Sequence, residues 1–76
     1  MDSTNSASAL VEMTGPHPSR IWRGGKRVPV WCVAVRDTAR VPISTVYTVL
    51  SYSRAVSLSC NMARDRRLFL RVDALP

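Results

Sequence analysis

The sequence predicts a small β-rich domain, all-β or α+β, that follows a disordered N-terminal tail. The chain has 76 residues, which leaves room for one small domain. Residues 28–35 (VPVWCVAV) form a valine-rich run typical of a strand. From Leu50 to Cys60 larger side chains alternate with serine and alanine, and residues 68–75 (LFLRVDAL) repeat this period of two. These three segments predict the sheet.

The first segment, residues 1–19, is predicted to be the tail. It is rich in serine, threonine, asparagine and alanine, and it carries two acidic side chains and no lysine or arginine. It ends in GPHPS, where Pro16 and Pro18 oppose helix formation. No second apolar element lies nearby in sequence. We therefore expect residues 1–19 to be disordered and dispensable for folding.

The next segment, residues 20–27 (RIWRGGKR), is predicted to be a basic linker. Its Gly-Gly dipeptide reads as a flexible joint, and no acidic residue interrupts the positive charge. Residues 28–76 hold most of the apolar side chains, so we expect the core to form there. A module this small is marginally stable on its own.

Within this module we expect strands at 28–35, 43–60 and 68–75, with a break in the second near Ser53–Arg54. Pro29 places the first strand at an edge, or close to its own start. Residues 43–50 also carry the i, i+3, i+4, i+7 apolar stripe of a helix, although their β-branched side chains favour a strand. A helix is the alternative for residues 68–75 as well.

Residues 41–57 (VPISTVYTVLSYSRAVS) resemble the second helix and following turn of the lac-repressor type of helix-turn-helix, in which V-S-x-x-T-V-S-x-V-L-N is typical. Pro42 stands where that family has its capping serine. The resemblance implies an alternative fold, a small helical domain that binds DNA sequence-specifically. It places four side chains near the base edges: Ser44, Thr45, Tyr47 and Thr48. It also makes Ser57 the cap of the next helix.

Two cysteines, Cys32 and Cys60, leave a disulfide open as an alternative to free thiols. Such a bridge would stabilise the fold by ~3 kcal/mol in the chain-entropy model. The sequence shows no signal peptide, so we expect an intracellular protein, in cytoplasm or nucleus, with free thiols. These two cysteines and His17 do not make a zinc site, and we predict no metal and no cofactor.

Charge bears most directly on function. The net charge is +6, and ten of the eleven basic residues are arginine. Such a chain suits RNA, single-stranded DNA or an acidic protein surface. The expected nucleic-acid-binding residues lie in two clusters: Arg20, Trp22, Arg23, Lys26 and Arg27, and then Arg64, Arg66 and Arg67.

We therefore expect a small, basic, non-enzymatic binding or accessory protein that binds nucleic acid without sequence preference. Its five carboxylates are scattered along the chain, and no nucleophile has a base nearby in sequence. One alternative is a protein-protein interaction module. Another is a weakly folded product of a small reading frame, without defined activity. Residues 41–63 are too rich in serine for a membrane span to be expected.

Overall fold

The computed structural model describes residues 9–37, 39 and 41–76. The chain forms four strands and one helix in this part: β1 (Leu10–Arg23), β2 (Lys26–Arg36), β3 (Tyr47–Val49), α1 (Tyr52–Arg66) and β4 (Phe69–Ala74). The strands make one sheet in the order β3-β2-β1-β4. β1 is parallel to β4, whereas the β1–β2 and β2–β3 pairs are antiparallel. The β-rich fold class is therefore confirmed, in its α+β form.

The predicted tail is wrong for residues 10–19, which belong to β1. Val11 and Met13 are fully buried on one face of this strand. β1 is a central strand, and β4, one of its two partners, lies at the far end of the chain. A strand stabilised by such distant pairing has no local signal that marks it as part of a core. Residues 1–8 of the predicted tail lie outside the described residues.

The predicted linker is also wrong, because residues 20–27 form the end of a β-hairpin. β1 and β2 are joined by Gly24 and Gly25, whose φ angles are 59° and 79°. Positive φ at both positions is what a tight two-residue hairpin turn of type I′ requires. The Gly-Gly dipeptide is thus a turn, and the predicted strand at 28–35 is confirmed and extended to Lys26–Arg36.

The long strand predicted at 43–60 is wrong over most of its length. Only Tyr47–Val49 is a strand, and α1 begins at Tyr52. The helix buries Ala55, Ser59, Met62 and Ala63, which recur at helical spacing. Two of these are alanine and one is serine, so the buried face of the helix has few large apolar side chains to indicate a helical period. The larger side chains of this segment alternate with a period of two, which favoured the prediction of a strand.

The ends of α1 have recognisable caps. The Ser51 hydroxyl accepts a hydrogen bond from the Arg54 N–H at 3.4 Å and caps the first turn. The chain leaves the helix through Arg67, which has left-handed backbone angles, and the Leu68 N–H donates to the Ala63 carbonyl at 2.9 Å. The predicted strand at 68–75 follows directly and is confirmed as Phe69–Ala74.

The helix-turn-helix alternative does not match this architecture. Among the described residues α1 is the only helix, and the segment before it is a loop followed by β3. Ser57 lies inside α1, and the helix cap is Ser51 instead. The resemblance therefore reflects common residue types and not a shared fold.

The core lies between α1 and one face of the sheet. Its sheet side consists of alternate residues from the two central strands: Val11, Met13, Trp31, Val33 and Val35. Trp31 contacts Tyr52 of α1 edge to face at 6.2 Å, and its indole N–H donates to the Leu75 carbonyl at 2.8 Å. A Cβ on Gly15 would lie 2.7 Å from the Trp31 ring, so only glycine leaves room for this ring.

The opposite face of the sheet carries a buried charge. Glu12 lies between Val11 and Met13 in β1 and so points away from α1, yet it is only 3% exposed. Its carboxylate is 2.7 Å from Arg36 Nε of β2 and 3.8 Å from Arg71 Nε of β4. One carboxylate thus links three adjacent strands.

Candidate nucleic-acid interface

The hairpin of β1 and β2 extends well beyond the rest of the sheet. β4 pairs with β1 only as far as Gly15, and β3 pairs with β2 only as far as Trp31. Residues 16–30 therefore continue as two strands alone, and we name them the arm. The eight residues from Pro16 to Arg23 give an arm of ~25 Å at ~3.3 Å per residue. The molecule measures 53 × 21 × 18 Å, consistent with such a projection.

The first predicted cluster comes together on this arm. Every residue from Arg20 to Arg27 is exposed. Trp22 pairs with Arg27 across the hairpin, and Arg23 pairs with Lys26 next to the turn. The Arg27 guanidinium lies 5.3 Å from the Trp22 ring centroid, a cation–π contact. Four cations and one indole are therefore presented at the free end of the arm.

The charges on the arm emerge from both of its broad faces. Successive pairs in an antiparallel ladder point to opposite faces. Trp22 and Arg27 share one face, so Arg23 and Lys26 share the other. A Cβ on Gly24 or Gly25 would meet no atom within 4 Å, so no other part of the described chain packs against the turn at these positions. A ligand can approach the arm from either face.

No carboxylate offsets this charge. From residue 13 to residue 36 the sequence has no aspartate or glutamate. The His17 Nε2 lies 2.9 Å from the Thr14 hydroxyl at the base of the arm. The formal charges of the arm, those of its lysine and arginine side chains, are therefore all positive and lie within residues 20–27, which favours an anionic ligand.

The second predicted cluster lies at the other end of the molecule. Arg64, Arg66 and Arg67 stand just before β4, whose first residue pairs with Leu10 at the start of β1. The length of β1 separates them from the tip by ~40 Å. The structure therefore does not bring the two predicted clusters together.

The second cluster lies at the C-terminal end of α1, where its positive charges stabilise the helix. Arg64 and Arg66 are in the last turn of α1, where a positive charge favours the negative end of the helix dipole. Arg64 also donates to the Asn61 side chain at 2.8 Å, and Asp65 lowers the local net charge. Stabilisation of the helix end accounts for this cluster without a ligand.

The residues implied by the repressor resemblance are placed differently. Ser44 lies in the loop before β3, where its hydroxyl accepts from the Val35 N–H at 3.0 Å. Tyr47 and Thr48 belong to β3 itself. These side chains therefore do not follow one face of a helix that could enter a DNA groove.

Both cysteines are free thiols, with Cys32 half-buried in β2 and Cys60 exposed on α1. In the described part of the chain no helix has the length and apolar character that crossing a membrane would need. Comparison of the chain with protein-family models, with curated proteins and with solved structures finds no match.

Proposed function

We propose that this protein is a non-enzymatic accessory or regulatory protein that binds nucleic acid, without sequence preference, through the arm. The observation that supports the proposal most is the concentration of Arg20, Arg23, Lys26 and Arg27 on an exposed two-stranded projection. The lack of any carboxylate from residue 13 to residue 36 adds to it. Phosphate is the anion that such spaced cations suit best, because each cation contacts one phosphate of a regularly charged chain.

Counterion release makes this proposal quantitative. Each neutralised phosphate contributes about −0.7 to the slope of log K against log salt for a single strand, and about −0.9 for a B-form duplex. The four arm cations therefore predict a slope of roughly −3 to −4. Binding should be strong at low salt, weak at physiological salt, and similar for oligonucleotides of different sequence.

Two triple variants with the same net charge test where binding occurs. The arm variant carries the substitutions Arg23→Gln, Lys26→Gln and Arg27→Gln. The control variant carries Arg64→Gln, Arg66→Gln and Arg67→Gln. Each lowers the net charge from +6 to +3. Fluorescence anisotropy of a labelled oligonucleotide, titrated at several salt concentrations, gives the slope for each protein.

We expect the arm variant to retain a slope of about −0.7 to −0.9, from Arg20 alone, and the control to keep nearly the full slope. Equal losses in the two variants would mean that overall charge, and not the arm, drives binding. No binding by the unmodified protein at low salt would end the proposal. Thermal melts by circular dichroism verify that both variants are folded.

A second candidate, a protein-protein interaction module, is favoured by a different surface. The loop before β3, together with β3 and the residue after it, exposes a run of apolar side chains: Val41, Ile43, Val46, Tyr47 and Leu50. β3 is also an edge strand, so one side of it is unpaired in the sheet. This candidate predicts that substitutions in the arm do not affect binding to the protein partner.

A further inference from the structure

We infer that the ligand of the arm is duplex DNA and that the arm enters its major groove. This inference rests on the proposed function and specifies the form of nucleic acid that the arm fits. Three features of the arm carry it: the distribution of charge over both faces, the width of a two-stranded ribbon, and the contact that occupies one face of the exposed indole at the tip.

The distribution of charge favours a ligand that surrounds the ribbon. Arg27 projects from one face, and Arg23 and Lys26 project from the other. A single strand that follows one face contacts only the cations on that face. A duplex groove has phosphates along both walls, so a ribbon inside it uses the cations of both faces together.

The width of the ribbon selects the groove. Its two backbones lie ~4.8 Å apart, so the ribbon is narrow across its strands. The major groove of B-form DNA is ~12 Å wide and admits a two-stranded ribbon, whereas the minor groove, at ~6 Å, is too narrow. The major groove of duplex RNA is deep and narrow and does not admit the side chains either. B-form DNA is thus the duplex that fits.

The cation–π contact at the tip argues against stacking on a single strand. Proteins that hold single strands without sequence preference stack bases on exposed aromatic rings. Trp22 is 61% exposed, but the Arg27 guanidinium occupies one face of its ring, 5.3 Å from the centroid. A base that stacked on this face would displace that contact. In a groove the contact is kept, and Arg27 is held in position to reach a phosphate.

The arm is also poorly suited to pairing with a second copy of itself. Pro16, Pro18 and Pro29 lie along its two strands, and Pro18 faces Pro29 across the ladder. Proline lacks the backbone N–H that an added strand would need, and natural sheets use it to protect edges. This observation favours a nucleic acid over another protein chain as the occupant of the arm.

Three fluorescein-labelled probes of the same sequence test the inference: a short duplex, one of its strands, and the duplex with glucosylated hydroxymethylcytosine in place of cytosine. The glucose groups fill the major groove and leave the minor groove open. We expect the plain duplex to bind about tenfold more tightly than the single strand at low salt, since a ribbon inside the groove contacts phosphates on both walls with the cations of both faces. The glucosylated duplex should lose most of that gain.

Single-charge variants on opposite faces provide the second readout. Arg27→Gln and Arg23→Gln each remove one cation, from different faces of the arm. Each should reduce the slope for the plain duplex by about 0.9. If only one of the two reduced it, the ribbon would lie with one face on its ligand, and the groove inference would be wrong.

The outcomes separate this inference from the proposed function. Equal affinity for the single strand and both duplexes, with the salt slope retained, would overturn the groove inference and leave nucleic-acid binding standing. Failure to bind any of the three probes would overturn both. A minor-groove ligand such as netropsin should not compete on an A·T-rich duplex, and competition by it would also contradict major-groove entry.

Discussion

At the scale of single residues, Glu12 is the side chain whose environment is least expected from the sequence. It lies on the sheet face away from α1, and its two oxygens meet Arg36 and Arg71 from the strands on either side. A buried charge is tolerated when it is paired, and it becomes costly when its partner is removed. The three side chains therefore hold β2, β1 and β4 to one another.

We predict that Glu12→Gln lowers the free energy of unfolding by about 3 kcal/mol, the low end for breaking a buried ion pair. We use the low end of that range because both arginine partners remain partly exposed to solvent: the side chain of Arg36 is 18% exposed and that of Arg71 is 54% exposed. The substitution preserves the shape of the side chain and removes its charge, so packing changes little. Urea denaturation followed by circular dichroism measures the loss.

Asp65→Asn is the control for this prediction, because Asp65 is exposed near the end of α1. Its effect should stay within about 0.5 kcal/mol, as for most surface substitutions. If Glu12→Gln had an equally small effect, the ion pairs at Glu12 would contribute nothing to stability.

At the scale of elements, a helix and a strand through residues 50–60 predict different effects of proline substitution. Ser53 is in the first turn of α1, where the backbone N–H has no partner within the helix and proline is tolerated. Ser57 is in the interior, where proline removes a helix hydrogen bond and costs about 3 kcal/mol or more. Both serines are exposed, so packing losses are small in each case.

We therefore expect Ser53→Pro to remain folded, with a melting temperature close to that of the unmodified protein, and Ser57→Pro to lose most of its structure. Far-ultraviolet circular dichroism with a thermal melt compares them. A strand at these positions would be disrupted by proline at Ser53 as well, and that result would contradict the helix.

The elements also show what local patterns can and cannot predict. β2 and β4 were predictable because their apolar side chains mark them without reference to other segments. α1 was missed because Ala55, Ser59 and Ala63 bury a face of small residues, although Ser51 offered a capping signal. β1 was missed because its pairing with β4 joins opposite ends of the chain.

The basic residues of the candidate site were predictable from the sequence, but their arrangement on a projecting hairpin was not. The basic character of residues 20–27 is evident in the sequence, and the structure places those cations together on the arm. A Gly-Gly dipeptide between two strand segments also predicts a tight hairpin turn, which was the overlooked signal. The separation of Arg64, Arg66 and Arg67 from the arm follows from the order of the strands, which single residues do not reveal.

At the scale of the whole molecule, the arm and the core are separate parts of one sheet. Within residues 16–30 only Val30, at the base of the arm, is buried, and the residues of the core cluster all lie elsewhere. The arm therefore contributes little to the apolar surface buried on folding, whereas it carries four of the cations.

We predict that the arm can be shortened without loss of the fold. Replacing residues 18–29 with an Asn-Gly turn joins His17 to Val30, which already face each other in the ladder. The shortened protein should still melt cooperatively, but it should no longer bind the labelled oligonucleotide at low salt. Loss of the cooperative melt would place part of the core in the arm, and unchanged binding would place the interface elsewhere.

The two tryptophans divide between these parts, since Trp22 is 61% exposed at the tip and Trp31 is 6% exposed in the core. Their fluorescence should differ accordingly: Trp22 emits at longer wavelength and is quenched by iodide, whereas Trp31 emits at shorter wavelength and is shielded. With Trp22 replaced by phenylalanine, the remaining emission reports on the core alone. The protein thus carries one intrinsic optical reporter for events at the arm and another for its own unfolding.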